Sequence, residues 1–146
     1  MVTLKGRYFA YLYGPDGRLK DKREGDNVVT TVGKEFLASF LYSAGVAAAT
    51  MTARYAAIGS DATAEAVGNT ALGTELSRHT GTVSYVSGGI FQLTATFAAG
   101  SGTGAVAEYG LFSSATGGTL LSRDTEAVIN KGASDSLTVI YQMTLS

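Results

Sequence analysis

The first third of the chain alternates, then turns, then changes period. Residues 3–13 set Leu4, Arg7, Phe9, Tyr11 and Tyr13 in a β-branched and aromatic context, which predicts a strand. Gly14-Pro15-Asp16-Gly17 reads as a turn, because Pro15 presets φ at the first central position and Gly17 frees the exit. A second strand from Arg18 to about Glu24 would complete a hairpin. It lies in "LKDKREGDN", the only charge-dense stretch of the chain. Two readings of that stretch stay open: a solvated edge strand guarded by Lys and Arg, or an arm that grips a neighbouring subunit.

At residues 31–43 the spacing becomes helical, with Phe36, Leu37, Phe40 and Leu41 on one stripe. Thr31 is the expected N-cap, Glu35 is expected in the first turn where the dipole favours it, and Gly45 is the expected stop. The stripe suits a lid over one open end of a β fold. From Arg54 onward short strands return. Tyr55, Ala57 and Gly59 lead into "SDATAEAVGNTALGTEL", too polar and irregular for a core strand and long enough to suggest function or an interface. Residues 82–98 form a hairpin around Ser87, Gly88 and Gly89, with Val83 and Tyr85 alternating in and Phe91, Leu93, Ala95 and Phe97 alternating out. "GSGTG" at 100–104 reads as a flexible hairpin connection to "AVAEYGLFS". "ATGG" at 115–118 turns into "TLLSR", and Leu137, Val139, Tyr141 and Met143 share one face of a closing strand. Seven or eight such strands predict a mostly β, single-domain β-sandwich, jelly-roll-like or β-tulip-like, with Greek-key connections. Residues 1–30 form an N-terminal hairpin or arm, and residues 31–146 the body with its one short helix.

Composition narrows the function classes. The 146 residues fit one domain, 45% are apolar, and only 16% are charged, below the usual quarter. Such a sparsely charged surface suits a chain packed against other protein. A net charge of −1 calls for no nucleic-acid partner. The charge is uneven, with seven Lys/Arg against five Asp/Glu in residues 1–35 and four against seven in residues 36–146. Cysteine is absent, so disulfides, thiolate metal sites and Cys nucleophiles are excluded, in keeping with assembly in a reducing cytoplasm. Neither a membrane span nor a signal-peptide-like apolar run is present in the sequence.

Candidate chemistry is thin. His79 is the single histidine, at a strand entrance with no nucleophile elbow, and reads as a structural residue. Gly100–Gly104 lacks the Lys-Ser/Thr end of a phosphate loop. Asp61, Asp124 and Asp135 are scattered without EF-hand spacing. No catalytic, cofactor-binding or metal-binding residue is assigned, and an enzyme is not expected. The charges inside apolar strands stand out more: Glu75, Arg78, Glu108, Arg123 and Lys131. Each either faces solvent or is paired, because burying one alone costs several kcal/mol. An internal or intersubunit ion-pair network, with Glu108 partnering Arg123 or Arg78, is one expectation; solvent-facing positions are the other.

The segments "AAIGSDATAEAVGNTALGTELSRHTG", "QLTATFAAGSGTGAVAEYGLFSSATGGTLLSRD" and "INKGASDSLTVIYQMTLS" resemble, in order and spacing, small virion structural proteins of tailed bacteriophages. The resemblance implies a capsid decoration or cement protein. Such a protein sits as a homotrimer on the outer surface of the head, in contact with the major capsid protein, after assembly in the host cytoplasm. It also admits a tail, tail-fibre or baseplate component, structural or binding host glycans. The interface residues expected on the first reading are Arg18, Lys20, Lys22 and Arg23 of the basic hairpin and Asn69, Thr70 and Glu75 of the long loop.

Overall fold

The computed structural model describes residues 3–42 and 54–146. Alternation becomes strand nearly everywhere the sequence predicts it. The elements are β1 (Leu4–Tyr13), β2 (Leu19–Val29), α1 (Thr31–Tyr42), β3 (Tyr55–Gly59), β4 (Glu75–Thr80), β5 (Thr82–Tyr85), β6 (Ile90–Phe97), β7 (Gly104–Phe112), β8 (Leu120–Lys131) and β9 (Ser136–Leu145). All pairings are antiparallel, in the order β4-β3-β7-β8-β2-β1-β9-β6-β5. The protein is therefore mostly β, with one nearly closed sheet and one short helix among the described residues.

Two strands bend this sheet over. β2 pairs with β1 from Leu19 to Asn27, and its last two residues then pair with β8, as Val28↔Arg123 and Val29↔Ser122. On the far side β4 and β5 are almost continuous in sequence but belong to opposite halves, β4 beside β3 and β5 beside β6. Gly81 is the corner between them. Its N–H donates to Arg54 O at 2.7 Å, and a Cβ there would lie 2.7 Å from Leu93 Cδ1. The two halves face each other across one core built from Tyr8, Ala10, Leu12, Ile58, Leu93, Phe97, Val106, Tyr109, Leu111, Ile129, Leu137, Val139 and Tyr141, among others.

The hairpin of β1 and β2 is thus built into the sheet. β1 lies between β2 and β9 and is in register with β9 from Leu4↔Leu145 to Tyr13↔Ser136. Its inward residues Tyr8, Ala10 and Leu12 belong to the core, and burying them is what holds the strand in the middle of the sheet. The turn before β2 forms as its residues dictate: Gly17 N donates to Gly14 O at 3.0 Å, with Gly17 at φ 78°. β2 runs five residues past the expected Glu24, because β8 supplies a second partner for its end. The "GSGTG" segment does not close a hairpin either. β6 and β7 sit in opposite halves, so residues 98–103 cross from one to the other, and Gly100, Gly102 and Gly104 all adopt positive φ. The register of Val83 and Tyr85 puts them opposite core residues Leu93 and Phe91, yet both are exposed, Tyr85 at 76%.

The helix begins one residue earlier than expected in its capping. Thr30, not Thr31, is the N-cap: its Oγ1 accepts from Gly33 N at 3.0 Å and donates to Leu120 O at 2.5 Å. One buried hydroxyl therefore satisfies an orphan helix amide and ties the helix to β8. Glu35 falls beyond the first turn. Phe36 and Leu37 pack against the main core; the side chains of Phe40 and Leu41 and the expected stop at Gly45 lie outside the described residues. Thr30→Val keeps the shape but removes both bonds, and should cost about 2 kcal/mol in a urea titration. A loss below about 0.5 kcal/mol would deny the cap its role.

Candidate functional site

The long segment between β3 and β4 lies on the outer face of β3, β7 and β8. Leu72 joins Ala57, Phe112 and Leu120, with Tyr55 at the margin, in a small second core beneath it. That cover lets two charged side chains point away from the main core and still be buried. Glu108 is 0% exposed and Arg123 2%. Arg123 Nε and Nη2 both donate to Glu108 Oε2, at 3.0 and 2.9 Å. The remaining capacity of the carboxylate is taken by the segment's backbone. Gly73 N donates to Oε2 at 2.9 Å, and Thr74 N and Asp61 N donate to Oε1 at 2.7 and 3.3 Å. Arg123 also reaches Asn69 Oδ1 at 3.2 Å and Asp61 Oδ2 at 3.5 Å. Asp61 accepts from the amide and hydroxyl of Thr63, which hold its carboxyl below the usual carboxylate range, with Arg123 adding to the effect.

Arg78 belongs to a different cluster. Its guanidinium forks onto Glu75, at 2.9 and 2.6 Å, and donates to Ser114 O and Gly117 O in the β7–β8 turn, while lying 3.5 Å over the Phe112 ring. A third cluster sits where residues 98–103 pass the β8–β9 turn. Lys131, 2% exposed, donates from Nζ to Ala98 O and Asp135 O at 3.0 and 2.8 Å, and burial pulls its ammonium below the usual range. Asp135 accepts from Lys20 Nζ at 2.9 and 2.8 Å and from Gly132 N at 2.9 Å, which holds its carboxyl below the usual range.

These contacts redistribute the residues expected at an interface. Lys20 is spent on Asp135. Arg23 bonds Asp21 and also donates to Ala127 O and Val128 O at 2.9 Å each. Asn69 and Glu75 serve Arg123 and Arg78. Arg18, Lys22 and Thr70 remain exposed. One further contact has no local signature: His79 Nε2 lies 2.6 Å from Ser101 Oγ, which lies 2.9 Å from Ser77 Oγ, and the imidazole edge meets Phe97. Among the described residues no carboxylate bonds the imidazole, so the pair lacks the orienting group that general-base catalysis by a Ser–His arrangement uses. No group of three or more His, Cys, Asp or Glu side chains among the described residues is placed to hold a metal ion.

The other half of the sheet presents a different surface. Its outward positions are Lys5, Arg7, Phe9, Tyr11 and Tyr13 on β1, Thr138, Ile140, Gln142 and Thr144 on β9, and Gln92, Thr94 and Thr96 on β6, with Arg7 lying over the Phe9 ring and paired with Glu24. Gln142 and Gln92 bond each other across the strands at 2.8 Å, and the Thr96 and Thr138 hydroxyls meet at 3.2 Å. No Asp, Glu, Lys or Arg occurs from Thr80 to Ala107, nor after Asp135. The face ends at β5, whose four residues are all exposed and whose outer edge no strand pairs among the described residues.

Comparison with family models, with curated proteins and with solved structures finds no match to this chain.

Proposed function

We propose that the protein is a structural component of a tailed-phage virion, a decoration protein that binds the outside of the head as a homotrimer and bridges neighbouring major capsid protein subunits. On this reading the nearly closed sheet is a jelly-roll-like, β-tulip-like sandwich. The observation that carries the proposal is the outer face of β9, β6 and β5, which holds no charged side chain, continues into Phe9, Tyr11 and Tyr13 of β1, and ends at an edge unpaired among the described residues. A face of Thr, Gln and aromatic side chains is cheap to desolvate, because it holds few charges that would have to leave water unpaired. Depletion of charge is also what marks the centre of protein–protein interfaces. The ordered motifs that resemble small phage virion proteins support the same reading. So does the internal use of charge: the buried Glu108–Arg123 pair and the Lys131 and Asp135 contacts brace loops of the fold. Repeated contact across subunit joints would make dissociation slow, and so oppose outward pressure on the shell.

Immunogold electron microscopy of intact virions, with copy number from gel densitometry, tests this directly. Decoration requires label spread evenly over the head and on the order of hundreds of copies per particle. Label confined to the tail would overturn it in favour of a tail or fibre component, and a glycan screen would then start from the exposed Tyr85 and the β1 tyrosines, whose rings can stack on sugars.

A further inference from the structure

The joint between β2 and β8 is short. Only Val28↔Arg123 and Val29↔Ser122 are in register, and beyond them the strands part. Asp124 is the first residue of β8 past this joint. It is 2% exposed and stands opposite Tyr109, so its side chain shares the core-facing side of the sheet. Tyr8 from β1, Tyr109 from β7 and Tyr141 from β9 gather around it, with Tyr8 and Tyr109 ring centroids 4.7 Å apart. β2 offers Gly25, where a Cβ would stand 2.5 Å from Glu126 Oε1 and 3.5 Å from Asp124 Oδ2. It also offers Asn27, whose amide donates to Ser122 Oγ at 3.3 Å. Glu126 from β8 and Glu65 from the long loop, the latter bonded to Thr125 Oγ1, are the nearby like charges. Arg23 closes the mouth of the gap, bonded to Asp21 and to the carbonyls of Ala127 and Val128.

The polar atoms inside are unmatched. Asp124 Oδ2, Asn27 Oδ1 and the hydroxyls of Tyr8, Tyr109 and Tyr141 are all buried without a hydrogen-bond partner. Tyr8 lies beside the Asp124 carboxyl without closing a well-formed bond. No ion pair includes Asp124 among the described residues. A buried carboxylate with no cation, facing two other carboxylates, strongly favours its neutral form. Burial first, then Glu65 and Glu126, push the Asp124 carboxyl up to about 7.

We propose that the proton on Asp124 latches the β2–β8 seam. While it is held, the neutral carboxyl sits among the tyrosine hydroxyls and the gap stays closed. When it passes to solvent, an unpaired charge is left beside Glu126 and Glu65, water enters, and β2 loosens from β8 until only Arg23 and the two-residue joint hold it. The sign follows from proton counting. The native state binds more protons than the unfolded chain between the ordinary carboxylate range and about pH 7, so stability falls as pH rises across that interval. Asp21, Asp61 and Asp135 are shifted the other way and lose their contribution in acid. Maximum stability should therefore lie on the mildly acidic side of neutral.

Thermal melts and amide exchange of the full chain, from about pH 5.5 to about pH 8.5, test the latch. The wild type should lose several degrees of Tm across this range. Amides of residues 22–29 and 122–128 should exchange about tenfold faster at the alkaline end, after correction for intrinsic rates. Asp124→Asn should abolish both changes, and Glu126→Gln should move the midpoint to lower pH. A wild type indifferent to pH, or an Asp124→Asn variant with the same pH step, overturns the proposal. If Asp124→Asn does not fold, the Glu126→Gln midpoint decides: an unmoved midpoint overturns it.

Discussion

Arg123→Ala should cost about 3–5 kcal/mol, a large part of the 5–15 kcal/mol typical of a domain. The variant leaves Glu108 buried and negative with three backbone amides still aimed at it but no cation. Glu108→Gln instead leaves the buried guanidinium with only the longer contacts to Asn69 and Asp61, and weakens the acceptor for Gly73 and Thr74. Its cost should be of the same order, about 3 kcal/mol, and cleavage within residues 60–74 should appear at protease levels the wild type resists. The combination Glu108→Leu with Arg123→Met separates charge from architecture. Replacing both members removes the unpaired charge, so the double variant should be more stable than either single one. It should still be cut in the loop, because the Gly73 and Thr74 amides have lost their acceptor. Thermal melts with limited proteolysis on the four proteins decide the matter. Single variants within about 0.5 kcal/mol of wild type would mean the pair does not hold the loop.

Gly33→Ala sets two effects of opposite sign against each other. In an exposed helix the exchange stabilises by about 1 kcal/mol. Here the new methyl would stand 2.6 Å from Leu121 Cα and closer still to Leu121 O. Both obstacles are backbone of a paired strand, so no rotamer change relieves them, and overpacking of this kind costs about 3 kcal/mol. The helix must lift, which also stretches the Thr30 cap. The expected outcome is a net loss of about 2 kcal/mol or more, with α1 less protected from amide exchange than the sheet. A gain in stability would show that α1 is not docked this closely on β8.

Local chemistry was legible where it decided structure locally. Pro15 and Gly17 mark the first turn, Phe36 and Leu37 mark the packed side of the helix, and Gly88 and Gly89 mark the β5–β6 hairpin. Glu108 and Arg123 stood out because charges in apolar strands need an explanation. What covers them did not stand out, since the groups that satisfy Glu108 are mostly backbone amides of Asp61, Gly73 and Thr74, which any sequence supplies. Partners distant in sequence were equally hidden. Lys20 and Arg23 look like free surface cations until the fold brings Asp135 and the Ala127 and Val128 carbonyls beside them. Nothing local distinguishes a hairpin that stands apart from one set in mid-sheet: β1 is central because β9 arrives on its other side. Thr30 and Thr31 are interchangeable caps on paper, and Leu120 O chooses between them.

That pairing of β1 with β9 also sets the order of events in time. On a ribosome the β1–β2 hairpin is made well before its partners: the end of β2 waits for β8, and one side of β1 has no partner until β9, the last strand of the sheet, has followed. Contacts spanning nearly the whole chain place the fold among slow, high-contact-order topologies, with folding times of about milliseconds to seconds. At about 5–20 residues per second of synthesis, the nascent protein spends several seconds with Tyr8, Ala10 and Leu12 uncovered, and its yield depends on how well that strand is kept from the wrong neighbours.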